Sequence, residues 1–240
     1  MTTGAELDGP TTQARQALDA ARSSTEAPDH SWLEPDRTRA EWALAGDALH
    51  FVDRLVAAIR PRRVVEFGSG LSTRLLAAAC ARLPQPATLV SIESDPYFAR
   101  ATTAALEADG ALGTTTVVRA HLVVRRWFGR HLGVYDLPDQ VVSAEPSQLL
   151  VVDGPPLPLG GREGSLLQAL HLGEPGSIVL LDDTDRPSER AALARAREVL
   201  GDAVDVVHLD GFAKGLSAVV IRAEIAGSAM PETPVPGDGR

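Results

Sequence analysis

The stretch VVEFGSGLSTRLLA, residues 64–77, decides the fold. The run RVVEF, residues 63–67, leads straight into a Gly-x-Gly turn, and an amphipathic segment begins immediately afterwards. Gly68 and Gly70 allow a tight turn and close backbone approach, while Ser72 or Thr73 can cap the helix that follows. A short buried strand passing through a glycine turn into a helix is half of a βαβ unit.

The same alternation repeats on either side. Further short runs are TLVSIE (88–93), TTVVRA (115–120), QLLVVD (148–153), SIVLLD (177–182), VDVVHL (204–209) and LSAVVIR (216–222). Most are continuous in Val, Ile and Leu, as strands buried on both faces are. Helical spacing is read at 71–82, 96–108, 121–132, 163–172 and 187–200, and RAEWALAGDALHFVDRLVAAIR (39–60) places Trp42, Leu49, Val52, Leu55, Val56 and Ile59 on one face. The pattern predicts a doubly wound α/β fold with helices on both faces of a mostly parallel seven-stranded sheet. Only DGFAKG separates the last two strands, too short for a parallel crossover, so the last strand is expected to be antiparallel and inserted in the sheet.

Domain organisation follows. The chain has 240 residues, enough for one full core. Residues 1–38, broken by Pro10, Pro28 and Pro35, read as a flexible or loosely docked arm with one short helix in TTQARQALDAAR; 39–223 read as the domain, and 224–240 as a disordered tail. The arm and the helix after it could carry homodimer contacts.

Composition narrows the function classes. With 32 Asp+Glu against 23 Lys+Arg the net charge is -9, which argues against a nucleic-acid partner, and Lys214 is the one lysine. No apolar run reaches the ~20 residues of a membrane span and no signal peptide is visible, so a cytoplasmic location is expected, without a membrane partner. Cys80 is the sole cysteine, which leaves no internal disulfide and no thiolate cluster; it reads as a small buried apolar residue.

Ligands of open α/β sheets bind beyond the carboxyl ends of the strands, so the residues there carry the functional reading. Glu66 stands just before the glycines, and Glu93 ends the second strand, where an acid can accept from a ribose diol. A pyrophosphate would be opposed by Glu66 at this turn, and the third glycine of a dinucleotide fingerprint is missing. A ligand with a cationic amino-acid end and an adenosine end suits both acids better.

These residues resemble the class I S-adenosylmethionine (SAM)-dependent methyltransferases over roughly residues 40–222. The resemblance rests on EFGSG, SIESDP, LLVVDGPP, IVLLDD and the final antiparallel pair in that order. It implies the Rossmann-like version of the doubly wound fold, SAM as cofactor, Gly68 and Gly70 packed against it, Glu66 near its methionine part, Glu93 on its ribose, and Arg119, Ala120 and His121 lining an adenine pocket. The implied activity is methylation of a small-molecule acceptor, with O-methylation expected.

Methyl transfer requires an aligned acceptor freed of its proton. Asp153, Asp182 and Asp183 end the fourth and fifth strands, and carboxylates brought together are costly unless something positive sits among them. A hard cation such as Mg²⁺ takes such ligands, and the set resembles that of the metal-dependent O-methyltransferases. On the other reading Asp183 or Asp185 caps the helix near Pro187, Arg186 pairs one of the acids, and Asp153 alone is functional, as base. His121 is a second candidate base. Arg162 and Arg186 read as either anion-binding or merely solvated. Trp127, Phe128 and Tyr135 read as core packing, with the acceptor wall as the alternative. A nicotinamide-dependent oxidoreductase and a non-catalytic SAM-binding protein are the competing functions.

Overall fold

The computed structural model describes residues 9–26, 28–33 and 44–225. The face position at Trp42 and most of the expected tail lie outside the described residues. In chain order, α1 (Pro10–Ser23) and α2 (Gly46–Ile59) precede β1 (Arg63–Phe67), α3 (Leu71–Ala81), β2 (Thr88–Glu93), α4 (Pro96–Ala108) and β3 (Thr115–Arg119). Then come β4 (Leu122–Trp127), β5 (Arg130–Tyr135), the short α5 (Asp139–Val142), β6 (Ser147–Val152), α6 (Glu163–Leu172), β7 (Gly173–Asp182), α7 (Pro187–Leu200), β8 (Val204–Leu209) and β9 (Leu216–Ile221).

Seven strands form one sheet in the order β3-β2-β1-β6-β7-β9-β8. The first five of these are parallel, and β9 runs antiparallel between β7 and β8, as the short final connection requires. Every residue of β1 and β9 is buried, which explains their largely apolar sequences, broken only by Arg63 and Glu66 in β1 and Ser217 in β9. One face of the sheet is covered by α1, α2 and α3 through Leu18, Phe51, Leu55 and Leu76; the other is covered by α6, α7 and a β-hairpin through Leu166, Leu170, Leu193 and Trp127. Within the segment read as an arm, α1 packs on α2 and β7, with Ala14, Leu18 and Ala21 buried.

The structure corrects one element. Residues 121–132 do not form a helix: β4 and β5 pair as an antiparallel hairpin outside the main sheet. The two-residue turn at Phe128 and Gly129 has both φ angles positive, 48° and 76°, the geometry that matches the right-handed twist of flanking strands. Val123 and Val124 favour the extended chain. Trp127 packs inward from the hairpin while Val124 and Phe128 remain exposed.

Strand order reverses between β1 and β6, and the chain leaves these neighbours toward opposite sides. The loops after them therefore open a crevice at the carboxyl edge.

Candidate active site at the carboxyl edge of the sheet

The loop after β1 is held from below by two acids. Glu66 is fully buried on β1, and its Oε2 accepts from the hydroxyls of Thr73 at 2.5 Å and Ser91 at 2.6 Å. Thr73 in turn accepts from the Gly70 N–H at 2.9 Å, so Glu66 fixes the first turn of α3 through Thr73. Its other oxygen, Oε1, has no partner among the described residues. Burial pushes this carboxyl up to about 7, against the pull of its hydroxyl donors.

Glu93, at the end of β2, accepts from the Ser69 N–H at 2.8 Å and the Asp95 N–H at 2.7 Å. Burial raises its carboxyl, and the backbone donors act in the opposite sense. Asp95 caps α4 by accepting from the Tyr97 N–H at 2.7 Å, with Pro96 opening the helix.

Close approach of the β1 and β6 loops depends on glycine. Gly68 has φ +97°, and a Cβ there would sit 3.0 Å from the Gly154 backbone nitrogen; one on Gly154 would meet the Tyr135 hydroxyl at 2.7 Å. Gly70 differs, because a Cβ on it would meet nothing within 4 Å. That open space faces a cleft of about 820 Å³. Gly68, Gly70 and Glu93 line its floor, Tyr97 and Phe98 of α4 form one wall, and Asp153, Arg162 and Tyr135 form the opposite one.

The three aspartates do converge. One carboxylate oxygen from each of Asp153, Asp182 and Asp183 lies within 4.8 Å of the others. At an effective dielectric of about 20, two unit charges at that separation repel by ~3.5 kcal/mol. The compensating charge comes from the chain itself. Arg162 Nη2 lies 2.7 Å from Asp153 Oδ1 and 2.7 Å from Asp183 Oδ2, and Nη1 lies 3.9 Å from Asp182 Oδ2. Arg186 adds a second contact to Asp183 at 2.7 Å. Burial works against the Arg162 charge, but the carboxylates outweigh it and hold the guanidinium more firmly protonated. Burial raises Asp153 and Asp182, and Arg162 pulls both back.

A divalent ion does not fit this arrangement as it stands. Hard cations need carboxylate oxygens at about 2.0–2.6 Å, and an ion bridging Asp153 and Asp183 would press against a nitrogen already seated between them. The side chain of Arg162 is only 6% exposed, so it is not a surface group that swings aside freely.

Of the residues read from sequence, Gly68, Gly70, Glu93 and Asp153 meet in the cleft together with Asp183; Glu66 lies beneath the loop, and Asp182 stands behind Asp183. Arg119, Ala120 and His121 do not line the cleft. Ala120 is buried in the core, while Arg119 and His121 are exposed where β3 passes into the hairpin, because no helix follows to fold them back over the edge. Sequence reasoning missed Arg162 as the partner of the triad and the α4 wall. The requirement for a positive charge among three acids, with a lone arginine between the fourth strand and its helix, was the available signal for Arg162. Cys80 is fully buried and its thiol is pushed up to about 12 by burial, in keeping with a packing role.

No protein-family model matches the sequence, and no curated protein matches it. Solved structures do. The Podospora anserina methyltransferase PaMTH1, solved with SAH, superposes with a TM-score of 0.58 at 17% identity, covering 92% of this chain and 98% of that one. The O-methyltransferase TomG from Streptomyces achromogenes, in complex with SAM, gives 0.55 at 20% identity, with 88% and 90% covered. A putative O-methyltransferase from Klebsiella pneumoniae gives 0.55 at 17%, again over 88% and 90%. The chain has the Rossmann-like fold of the class I SAM-dependent methyltransferases.

Proposed function

We propose that this protein is a SAM-dependent methyltransferase that methylates an oxygen of a small molecule. The observation that carries the reading is the glycine loop: it is pinned to Glu93 through Ser69, open above Gly70, and set at the strand-order reversal on the floor of a cleft large enough for the cofactor and an acceptor. Neighbours of this fold solved with SAM or SAH support it.

Gly70 would let the amino-acid end of the cofactor approach the backbone. Glu93 accepts from Ser69 on Oε2 and from Asp95 and, at 3.5 Å, the Ser94 hydroxyl on Oε1, which leaves acceptor capacity on Oε2 for ribose hydroxyls. Tyr97 and Phe98 offer aromatic faces to a planar base. When bound, SAM supplies a sulfonium methyl group open to in-line displacement by an oxygen nucleophile.

Asp153 holds the acceptor proton. Its Oδ1 is occupied by Arg162, so Oδ2 is the atom that takes the hydroxyl proton, and burial raises its basicity for this role. His121 is exposed outside the cleft and does not share that task. Tyr135, packed under Gly154 with its phenol pushed upward by burial, keeps the acceptor wall rigid and un-ionised.

Isothermal titration with SAH tests the reading. Binding is expected, weakened at least tenfold by Glu93→Ala, and absence of heat with both SAH and SAM would end it. Titration with NADH is expected to leave the protein unchanged; saturable nicotinamide binding would transfer the cleft to an oxidoreductase.

A further inference from the structure

We propose that Arg162 is a resident cation that occupies the place of a divalent metal among Asp153, Asp182 and Asp183, so that the site is organised without any ion. The activity part of this inference rests on the methyltransferase reading; the ion-binding part stands without it.

Three independent features of the chain lead here. First, the guanidinium makes the contacts a bridging ion would make, with one nitrogen 2.7 Å from both Asp153 and Asp183. Second, Arg162 is placed where an arginine is otherwise unfavourable. It is the N-cap residue of α6, and a cation at a helix N-terminus opposes the helix dipole. No side-chain cap bond compensates this position, so the carboxylates are what retain the charge there. Arg186 repeats the arrangement as the N-cap of α7, and it also points to Asp183. Third, Nε and Nη1 of Arg162 are buried without hydrogen-bond partners among the described residues. Here hydrogen bonding is concentrated in the single nitrogen that spans the two cleft-facing aspartates.

Arg162 is accordingly a positioning residue. It fixes the Asp153 carboxylate through Oδ1 and presents Oδ2 to the acceptor, and it removes the repulsion that would otherwise splay Asp183 from Asp153.

The test uses the full chain and follows melting temperature and Mn²⁺ binding by titration calorimetry. For the wild type, neither EDTA nor Mn²⁺ at millimolar concentration is expected to shift the melting temperature, and no saturable Mn²⁺ binding is expected. Arg162→Ala is expected to melt lower and to acquire Mn²⁺ binding, with the ion at about 100 times its dissociation constant raising the melting temperature by roughly 5–10 °C. Adding Asp182→Asn to Arg162→Ala should weaken that acquired binding at least tenfold, which a merely structural role for Arg162 would not produce. Arg162→Lys keeps a cation and is expected to remain indifferent to Mn²⁺.

Tight Mn²⁺ binding by the wild type, with a fall in melting temperature on EDTA, would overturn the proposal. A folded Arg162→Ala with no response to Mn²⁺ would overturn it equally. If Arg162→Ala does not fold, Arg162→Lys decides: acquired Mn²⁺ binding by this variant overturns the proposal, and continued indifference supports it. SAH titrated into the same samples separates the two claims, because lost SAH binding with the expected Mn²⁺ results removes the methyltransferase reading and leaves the resident cation in place.

Discussion

Glu66→Gln should flatten the pH dependence of stability. In the folded protein the Glu66 carboxyl is fully buried and its pKa is pushed up to about 7, whereas an exposed glutamate titrates at about 4.3. The folded state therefore binds the proton more tightly than the unfolded state, and stability falls as pH rises. The contribution is complete below about pH 4, is lost progressively as the pH climbs, and levels off above about pH 7. At 1.36 kcal/mol per pH unit, a shift of roughly 2.5 units corresponds to about 3 kcal/mol. Glutamine occupies the same volume and cannot ionise, so that slope disappears in the variant. Urea denaturation of both proteins from pH 5 to pH 8.5 is the assay. The stability of the variant relative to wild type should rise across this range by about 2–3 kcal/mol, whatever constant offset comes from replacing one acceptor of the Thr73 and Ser91 hydroxyls. Parallel curves would refute the reasoning and would mean that Glu66 remains ionised beneath the loop.

Asp153→Asn should lower kcat on the true acceptor by about 100-fold or more while SAH affinity changes less than about threefold, since the base acts on the acceptor and not on the cofactor; single-turnover kinetics with SAH titration measures both. Gly164→Ala places a methyl 2.0 Å from the Gly133 carbonyl oxygen, forcing α6 away from the hairpin, and should cost about 3 kcal/mol in urea unfolding. Cys80 should resist an aromatic disulfide reagent in the native protein and react stoichiometrically in denaturant, because its thiol is fully buried and pushed up to about 12.

The main sheet was legible because its strands are short runs rich in Val, Ile and Leu, with β1, β6 and β9 buried on both faces. The continuous runs at 63–67, 88–93 and 204–209 match β1, β2 and β8 residue for residue, and the helices at 96–108, 163–172 and 187–200 do likewise. The hairpin was not legible by the same reading. It lies outside the sheet and buries one side, so Val123, Arg125 and Trp127 alternate with neighbours in a way that apolar spacing over 121–132 also allows as a helix. The deciding signal is local, in the turn at Phe128 and Gly129. Arg119, Ala120 and His121, assigned to an adenine pocket through the family resemblance, lie where β3 passes into this hairpin and do not line the cleft. The convergence of Asp153, Asp182 and Asp183 was readable from strand ends alone. The identity of the charge among them was not, since Arg162 reaches Asp153 only through the Pro- and Gly-rich loop 154–161, whose path no periodicity describes.

The cleft also sorts the acidity of the chain by function. Glu66 is screened beneath the loop and partly protonated near neutrality, and the three aspartates share two arginines, Arg162 and Arg186. The cavity is lined by the acids Glu93, Asp95, Asp153 and Asp183 against Arg74, Arg162 and Arg186, a modest excess of negative charge. SAM carries a net positive charge through its sulfonium, and transfer of the methyl group removes that charge from the product SAH. On the proposed function, a mildly acidic cleft would favour the reactant over its own product, whereas a bare aspartate triad would draw a metal ion into that space.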